Sequence, residues 1–259
     1  MANRLLSSDQ ITDFERRGFV LLRHLFDREE CELLLSGLAA ETGIQENALS
    51  RRDGEGGVTR LKVWNLAGDD LFGLVGRLPR MVGPVEQVLG GEVYLYHSKV
   101  TLKEPFTGGA WAWHQDYGYW YNNGCLFPLM ASCMVALDAC TRENGCLQVL
   151  EGSHLMGRID HGKVGDQTGA DPERVAEAVK VLPTVYCEMD PGDALLFHSN
   201  TLHRSDQNHS PQRRTTFICC YNAARNNPFK EHHHPRYYRL EKVSENALKE
   251  YHARLVAKR

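Results

Sequence analysis

The chain has 259 residues, 42% hydrophobic and 24% charged, the mix of a folded globular protein rather than a disordered or fibrous one. Thirty basic against 33 acidic side chains give a net charge of −3, which excludes the basic stripe demanded by a nucleic-acid backbone. No apolar run nears the ~20 residues of a membrane span and residues 1–10 are too polar for a secretory leader, so the expected address is the cytoplasm and the expected partner a small molecule, with no nucleic acid and no membrane.

The first ninety residues read as mostly helical. Ser8 is placed to cap a helix carrying Ile11, Phe14 and Glu15, which Gly18 ends. Residues 19–22 form a short strand. Asp27 opens a second helix, with Cys31, Leu34, Leu35 and Leu38 at i, i+3, i+4 and i+7, and Gly43 as its stop. Residues 51–57 are a polar loop, and 70–89 is helical in two pieces, interrupted by Pro79 and Pro84. After Gly90-Gly91 the character changes: 93–103, 129–137, 147–150, 185–189, 194–198 and 215–221 are apolar or β-branched runs divided by turn residues. One helix intrudes, capped by Asp171 with Pro172 at its first position, and runs to about Lys180. Many short strands without βαβ alternation predict an all-β core, a sandwich or jelly-roll barrel, with flanking helices. With no repeat and no linker, 1–259 reads as one domain: a helical region 1–90, a barrel core about 91–223 and a tail 224–259. The eight cysteines form no C-x-x-C, and several sit in apolar runs, so buried free thiols are expected.

The informative segment is Trp111-Ala112-Trp113-His114-Gln115-Asp116. Residues i and i+2 of a strand share a face, so a strand here aims His114 and Asp116 at one point. A third ligand from elsewhere would complete a two-His, one-carboxylate face with three positions open on a non-haem Fe(II). Alone, H-x-D recurs by chance. Further on, 191–198 reads as turn then strand, followed by Thr201-Leu202-His203-Arg204-Ser205, and Arg214 lies eleven residues past His203. A guanidinium there can grip a distal carboxylate bidentately while the other end of the acid chelates the metal.

With these motifs together, residues 8–223 resemble the phytanoyl-CoA dioxygenase family of Fe(II)/2-oxoglutarate oxygenases. The resemblance runs through Phe14-Glu15-Arg16-Arg17-Gly18-Phe19-Val20, His114-Gln115-Asp116, Glu143-Asn144-Gly145-Cys146-Leu147, Glu151-Gly152-Ser153-His154, His203-x-Ser205 and Arg214. Around 93–124, Lys99-Val100-Thr101-Leu102-Lys103, Phe106-Thr107-Gly108 and Trp120 look most like the family's ectoine and free amino-acid hydroxylases. It implies a double-stranded β-helix (jelly roll, cupin-like), with His114, Asp116 and His203 on Fe(II). Arg214, assisted by Ser205, is implied for the far carboxylate of 2-oxoglutarate. Thr101, where relatives usually carry Asn, and Ser132 are implied to border the cosubstrate, and Trp120, then Tyr117, to meet the substrate. His198 and His209 are rivals to His203, and Arg213 to Arg214, although strand parity turns Arg213 to the opposite face. His232-His233-His234 reads as a solvated loop.

The implied reaction uses O2 and turns 2-oxoglutarate into succinate and CO2 while an unactivated C–H is hydroxylated. Asp116 favours that outcome, because halogenating relatives lack this carboxylate; desaturation and ring chemistry stay open. The aromatic cluster of Tyr117, Tyr119, Trp120 and Tyr121, with no basic groove for CoA phosphates, favours an amino acid or derivative over an acyl-CoA or natural-product intermediate. The readings from other classes are a non-catalytic jelly-roll binding protein and a zinc hydrolase; the Arg214 spacing and the absence of H-E-x-x-H argue against the latter. The sequence sets no oligomeric state.

Overall fold

The structure, a computed structural model, describes residues 5–40, 49–164 and 167–257. Helix α1 (Ser8–Arg17) is capped by Ser7 rather than Ser8: the Ser7 hydroxyl accepts from Gln10 N and the Gln10 side chain from Ser7 N, and Gly18 ends the helix at φ 84°. Strand β1 (Phe19–Leu22) and helix α2 (Arg28–Ala40) follow, with Asp27 and Glu30 exchanging a second reciprocal pair of capping bonds. The expected stop at Gly43 lies outside the described residues. The polar loop expected at 51–57 is narrower, because β2 (Leu49–Arg52) and β3 (Val58–Trp64) pair across it as a hairpin.

Helix α3 (Leu71–Val75) and helix α4 (Pro79–Leu89) divide before Pro79, not at Pro84. Pro79 occupies the first turn, where a missing N–H is harmless. Pro84 forfeits one helical bond, and burial of Met81, Val82, Val85 and Leu89 holds the helix through it.

Seven antiparallel strands make the larger sheet, in the order β1, β11 (Ala194–His198), β6 (Met130–Ala136), β13 (Arg214–Ala223), β4 (Val93–Lys103), β3, β2. Four make the smaller one: β10 (Thr184–Cys187), β7 (Leu147–Leu150), β12 (His203–Ser205) and β5 (Trp111–His114). Together they form the jelly-roll, double-stranded β-helix. A small hairpin, β8 (His161–Val164) with β9 (Gln167–Ala170), precedes the Asp171-capped helix Pro172–Val181.

Strand parity sorts the core. Ala131, Cys133 and Val135 of β6 and Phe217, Cys219 and Tyr221 of β13 face the helices, packing with Phe14, Leu34 and Met81. Their alternates, Met130, Met134, Ile218 and Cys220, face the smaller sheet with Leu147 and Val149. Burial on both faces is why these strands read as unbroken apolar runs. All eight cysteines are buried and unbridged. Among the described residues no helix is long and apolar enough to cross a membrane.

One irregularity shapes the interior. Against β13, Cys220 pairs with His97 and Tyr221 with Leu95, so Tyr96 is an extra residue in β4. The bulge flips the parity of the rest of the strand, and His97, Lys99, Thr101 and Lys103 form a row facing inward, all of them lining one cavity.

Candidate active site

His114 ends β5 and His203 opens β12, and the two are register partners, so their imidazoles are cross-strand neighbours with ring centroids 4.0 Å apart. Asp116 is not on the strand. It is the first residue of helix α5 (Asp116–Trp120), and the common face expected from strand parity is made instead by a turn through Gln115. The fully buried Gln115 amide donates to the carbonyls of Gly157 and Asn200 and accepts from Ile159 N, while its backbone N–H donates to His161 Nε2. Candidate ligand atoms of His114, Asp116 and His203 lie within 4.8 Å of one another, the one such group among the described residues.

The donors suit a divalent ion. His114 Nδ1 lies 2.8 Å from Ala112 O and His203 Nδ1 2.9 Å from Thr201 O. A carbonyl only accepts, so each Nδ1 carries the proton and each Nε2 offers a lone pair. Burial, and for His114 the neighbouring His203, pushes both imidazoles below their ordinary range and keeps them neutral. Burial opposes ionisation of Asp116, but Lys99, His203 and the Ser132 hydroxyl outweigh it and hold the carboxyl below its ordinary value. Ser132 Oγ donates to Asp116 Oδ2 at 2.7 Å, leaving the other oxygen open. Two neutral nitrogens and one anionic oxygen are a ferrous donor set.

At the other end of the cavity Arg214 is the register partner of Lys103, which brings two buried cations side by side. Arg214 donates to Gly145 O and its Nε has no partner; the Lys103 ammonium donates to Asp206 O. Among the described residues neither is ion-paired. Burial pushes the Lys103 amine well below its ordinary value and Arg214 down as well. Orphaned buried cations call for an anion. Ser205 and Thr101 line the same cavity, and Thr101 Oγ1 shares a 2.7 Å hydrogen bond with Thr216 Oγ1. Lys103 was missed by the sequence reading, although its place two residues beyond Thr101 on one strand face was a usable signal. Arg213 instead pairs with Asp138 at 3.1 Å.

Three other expectations need correction. Ser132 is not among the residues lining the cavity and meets the carboxylate of Asp116 instead. Trp120 lines the cavity, edge-on to Tyr96 and His97, but Tyr117 does not: its hydroxyl donates to Cys125 O at 3.0 Å, and Tyr119 faces the cavity in its place. The run His232–His234 is a loop, as expected, with His233 exposed, but it is not wholly given to solvent. His233 and His234 roof the cavity, His234 stacking on His97 at 4.5 Å and bonding Asn65 at 2.9 Å. The tail is tied back by Tyr237 to Glu92 and by Tyr238 to Leu95 O.

Residues 14–216 match the family model described as Phytanoyl-CoA dioxygenase (PhyH). The chain belongs to the phytanoyl-CoA dioxygenase family. It is 34% identical over 176 residues to the L-proline trans-4-hydroxylase of Streptomyces griseoviridis, a match spanning 62% of this chain and 66% of that enzyme. It is 32% identical over 251 residues to the ectoine dioxygenase of Bordetella parapertussis, spanning 89% and 80%. Among solved structures, EctD from S. alaskensis with bound Fe has a TM-score of 0.78 at 24% identity, covering 94% of this chain and 89% of that one. The same protein with 2-oxoglutarate and 5-hydroxyectoine gives 0.70 at 25%, covering 95% and 87%. This phytanoyl-CoA dioxygenase family member is an Fe(II)/2-oxoglutarate-dependent dioxygenase with O2 as co-substrate, and the zinc-hydrolase and non-catalytic readings fall away.

Proposed function

We propose that this dioxygenase hydroxylates an unactivated C–H bond of a small polar molecule, an amino acid or a derivative of one, with 2-oxoglutarate converted to succinate and CO2. His114 and His203, through the lone pairs of Nε2, and Asp116 would hold the ferrous ion. Arg214 receives the far carboxylate of 2-oxoglutarate with Lys103 beside it, while Ser205 and Thr101 flank the diacid. The observation that carries this reading is the unpaired Arg214–Lys103 couple in the same cavity as the three metal donors. The relatives named for proline and ectoine support a compact substrate, as does a cavity of about 650 Å³.

When bound, the iron supplies the O2 activation needed to break a strong C–H bond. The chain's own groups bind and orient. Ser132 keeps Asp116 turned to the metal, Gln115 fixes the turn between two ligands, and the guanidinium sets the direction from which the diacid approaches. Trp120, Tyr119 and the His233–His234 roof border the substrate and keep bulk water out.

The test is an anaerobic titration with Fe(II) and 2-oxoglutarate, followed by oxygen. A weak visible metal-to-ligand charge-transfer band is expected for the wild type, then succinate formation stimulated by one member of an amino-acid panel. Folded His114→Ala should lose both. No band in the wild type, or undiminished turnover in His114→Ala, overturns the reading.

A further inference from the structure

The inward row of β4 carries more positive charge than the cosubstrate uses. Lys99 lies four residues before Lys103 on that row, partly buried, lining the cavity. Among the described residues it makes no hydrogen bond and no ion pair. Its inward neighbour His97 is 5% exposed, and His97 Nδ1 is buried without a partner. Two adjacent polar groups of the described wall thus line the cavity, the Lys99 ammonium and His97 Nδ1, with no hydrogen-bond partner.

Charge sharpens the point. Among the described residues, Arg51, Lys99, Lys103 and Arg214 line the cavity, and Asp116 is the one carboxylate opposite them. That is an excess of three positive charges, or two if burial keeps Lys103 neutral. A ferrous ion and a 2-oxoglutarate dianion cancel each other and leave the excess standing. The two lysines are also placed differently. Lys103 stands beside Arg214 on the neighbouring strand, whereas the charge that Lys99 feels most is that of Asp116, so the two lysines belong to opposite ends of the cavity. Among the described residues no acidic side chain of the wall is left for a substrate ammonium, since Asp116 is committed to the ion.

We infer that the substrate of the dioxygenase proposed above carries a net negative charge, an oxyanion of the carboxylate or phosphonate class seated on Lys99 and His97. This rests on the dioxygenase reading and narrows its substrate. Arg51, at the mouth on β2, adds the attraction that draws such an anion in. His234, stacked on His97, closes the subsite from the tail side.

The test is anaerobic calorimetry on the full chain loaded with Fe(II) and 2-oxoglutarate, where no turnover consumes the probe. The probes are methylphosphonate and butyrate, their uncharged counterparts dimethyl methylphosphonate and butyramide, and zwitterionic L-proline. Each anion is expected to bind about tenfold or more tighter than its neutral counterpart, the scale of one hydrogen bond to a charged group, and to weaken with added salt. A preference for methylphosphonate over butyrate assigns a dianionic phosphonate; the reverse assigns a carboxylate. Lys99→Gln should weaken both anions about tenfold, and Lys99→Arg should restore most of that loss.

Three results overturn the inference: anions binding no better than neutral counterparts, L-proline binding better than butyrate, or Lys99→Gln weakening 2-oxoglutarate as much as the anions. The last would give the lysine to the cosubstrate. If Lys99→Gln does not fold, the wild-type comparison of charged with uncharged probes decides alone. Absence of the Fe(II)–2-oxoglutarate band and of succinate in the wild type is read separately and strikes the dioxygenase proposal instead.

Discussion

Ser132 and Lys103 act on the two ends of the cavity in opposite ways. The Ser132 hydroxyl restrains one oxygen of Asp116 at 2.7 Å, so Ser132→Ala should keep the fold and lower Fe(II) affinity by roughly tenfold, the usual effect of removing a group that orients a ligand; a metal titration with circular dichroism separates the two. Lys103 is a cation that burial disfavours in the empty protein. Lys103→Met should therefore leave the melting temperature of the metal-free chain unchanged or raised, while the KM for 2-oxoglutarate rises by about tenfold or more; a drop in stability with KM unchanged would contradict this role. At this scale the H-x-D motif made two of the grouped donors legible in the sequence. Tyr117 was offered by the resemblance alone, and neighbouring positions of a helix do not share a face. From Asp116, positions i+3 and i+4 share its face, and those are Tyr119 and Trp120.

Helix α5 depends on a missing side chain. A Cβ at Gly118 would stand 2.1 Å from the His161 ring, and His161 is the acceptor for the backbone N–H of Gln115. Gly118→Ala should push the ring or the helix aside and displace Asp116, so that metal affinity falls by about tenfold or more while the far-ultraviolet spectrum stays native-like; unchanged metal binding would show that the turn does not rely on this packing. Elements buried on both faces were legible, as with 93–103 and 194–198, because apolar runs bounded by turns have one good reading. The hairpins were not. Leu49–Arg52 is exposed throughout, and His161–Val164 with Gln167–Ala170 is short, polar and glycine-bearing, so neither shows a period-2 pattern.

Across the whole molecule, burial first of all lowers eight of the twelve histidines: 97, 114, 154, 161, 198, 203, 232 and 234. The unfolded chain takes up protons near pH 6.5 while the folded one resists until lower pH, about 4 at His198 and about 3 at His234. Stability is thus fully present above pH ~6.5 and lost as pH falls through that window. The melting temperature should be level between pH 8 and 7, fall from about 6.5 towards 4, and fall less steeply in His198→Asn, which keeps an acceptor for Asn200 N. A profile flat down to pH 5 would contradict this. The tail was the least legible region, since its contacts with Glu92, Leu95 and Asn65 join residues more than 140 positions apart and leave no local periodicity.

The extra residue at Tyr96 puts two consecutive side chains of β4, Tyr96 and His97, on the inner side. Excising Tyr96 would leave Leu95 on Tyr221 and His97 on Cys220, so Lys99, Thr101 and Lys103 would keep facing the cavity and only the doubled position would be lost. The candidate metal donors, contributed by β5, α5 and β12, would stay where they are. What such a deletion would take away is a clasp: the adjacent Tyr96 and His97 rings both lie against His234, at 4.7 and 4.5 Å, and one ring alone would give the returning chain end half that grip.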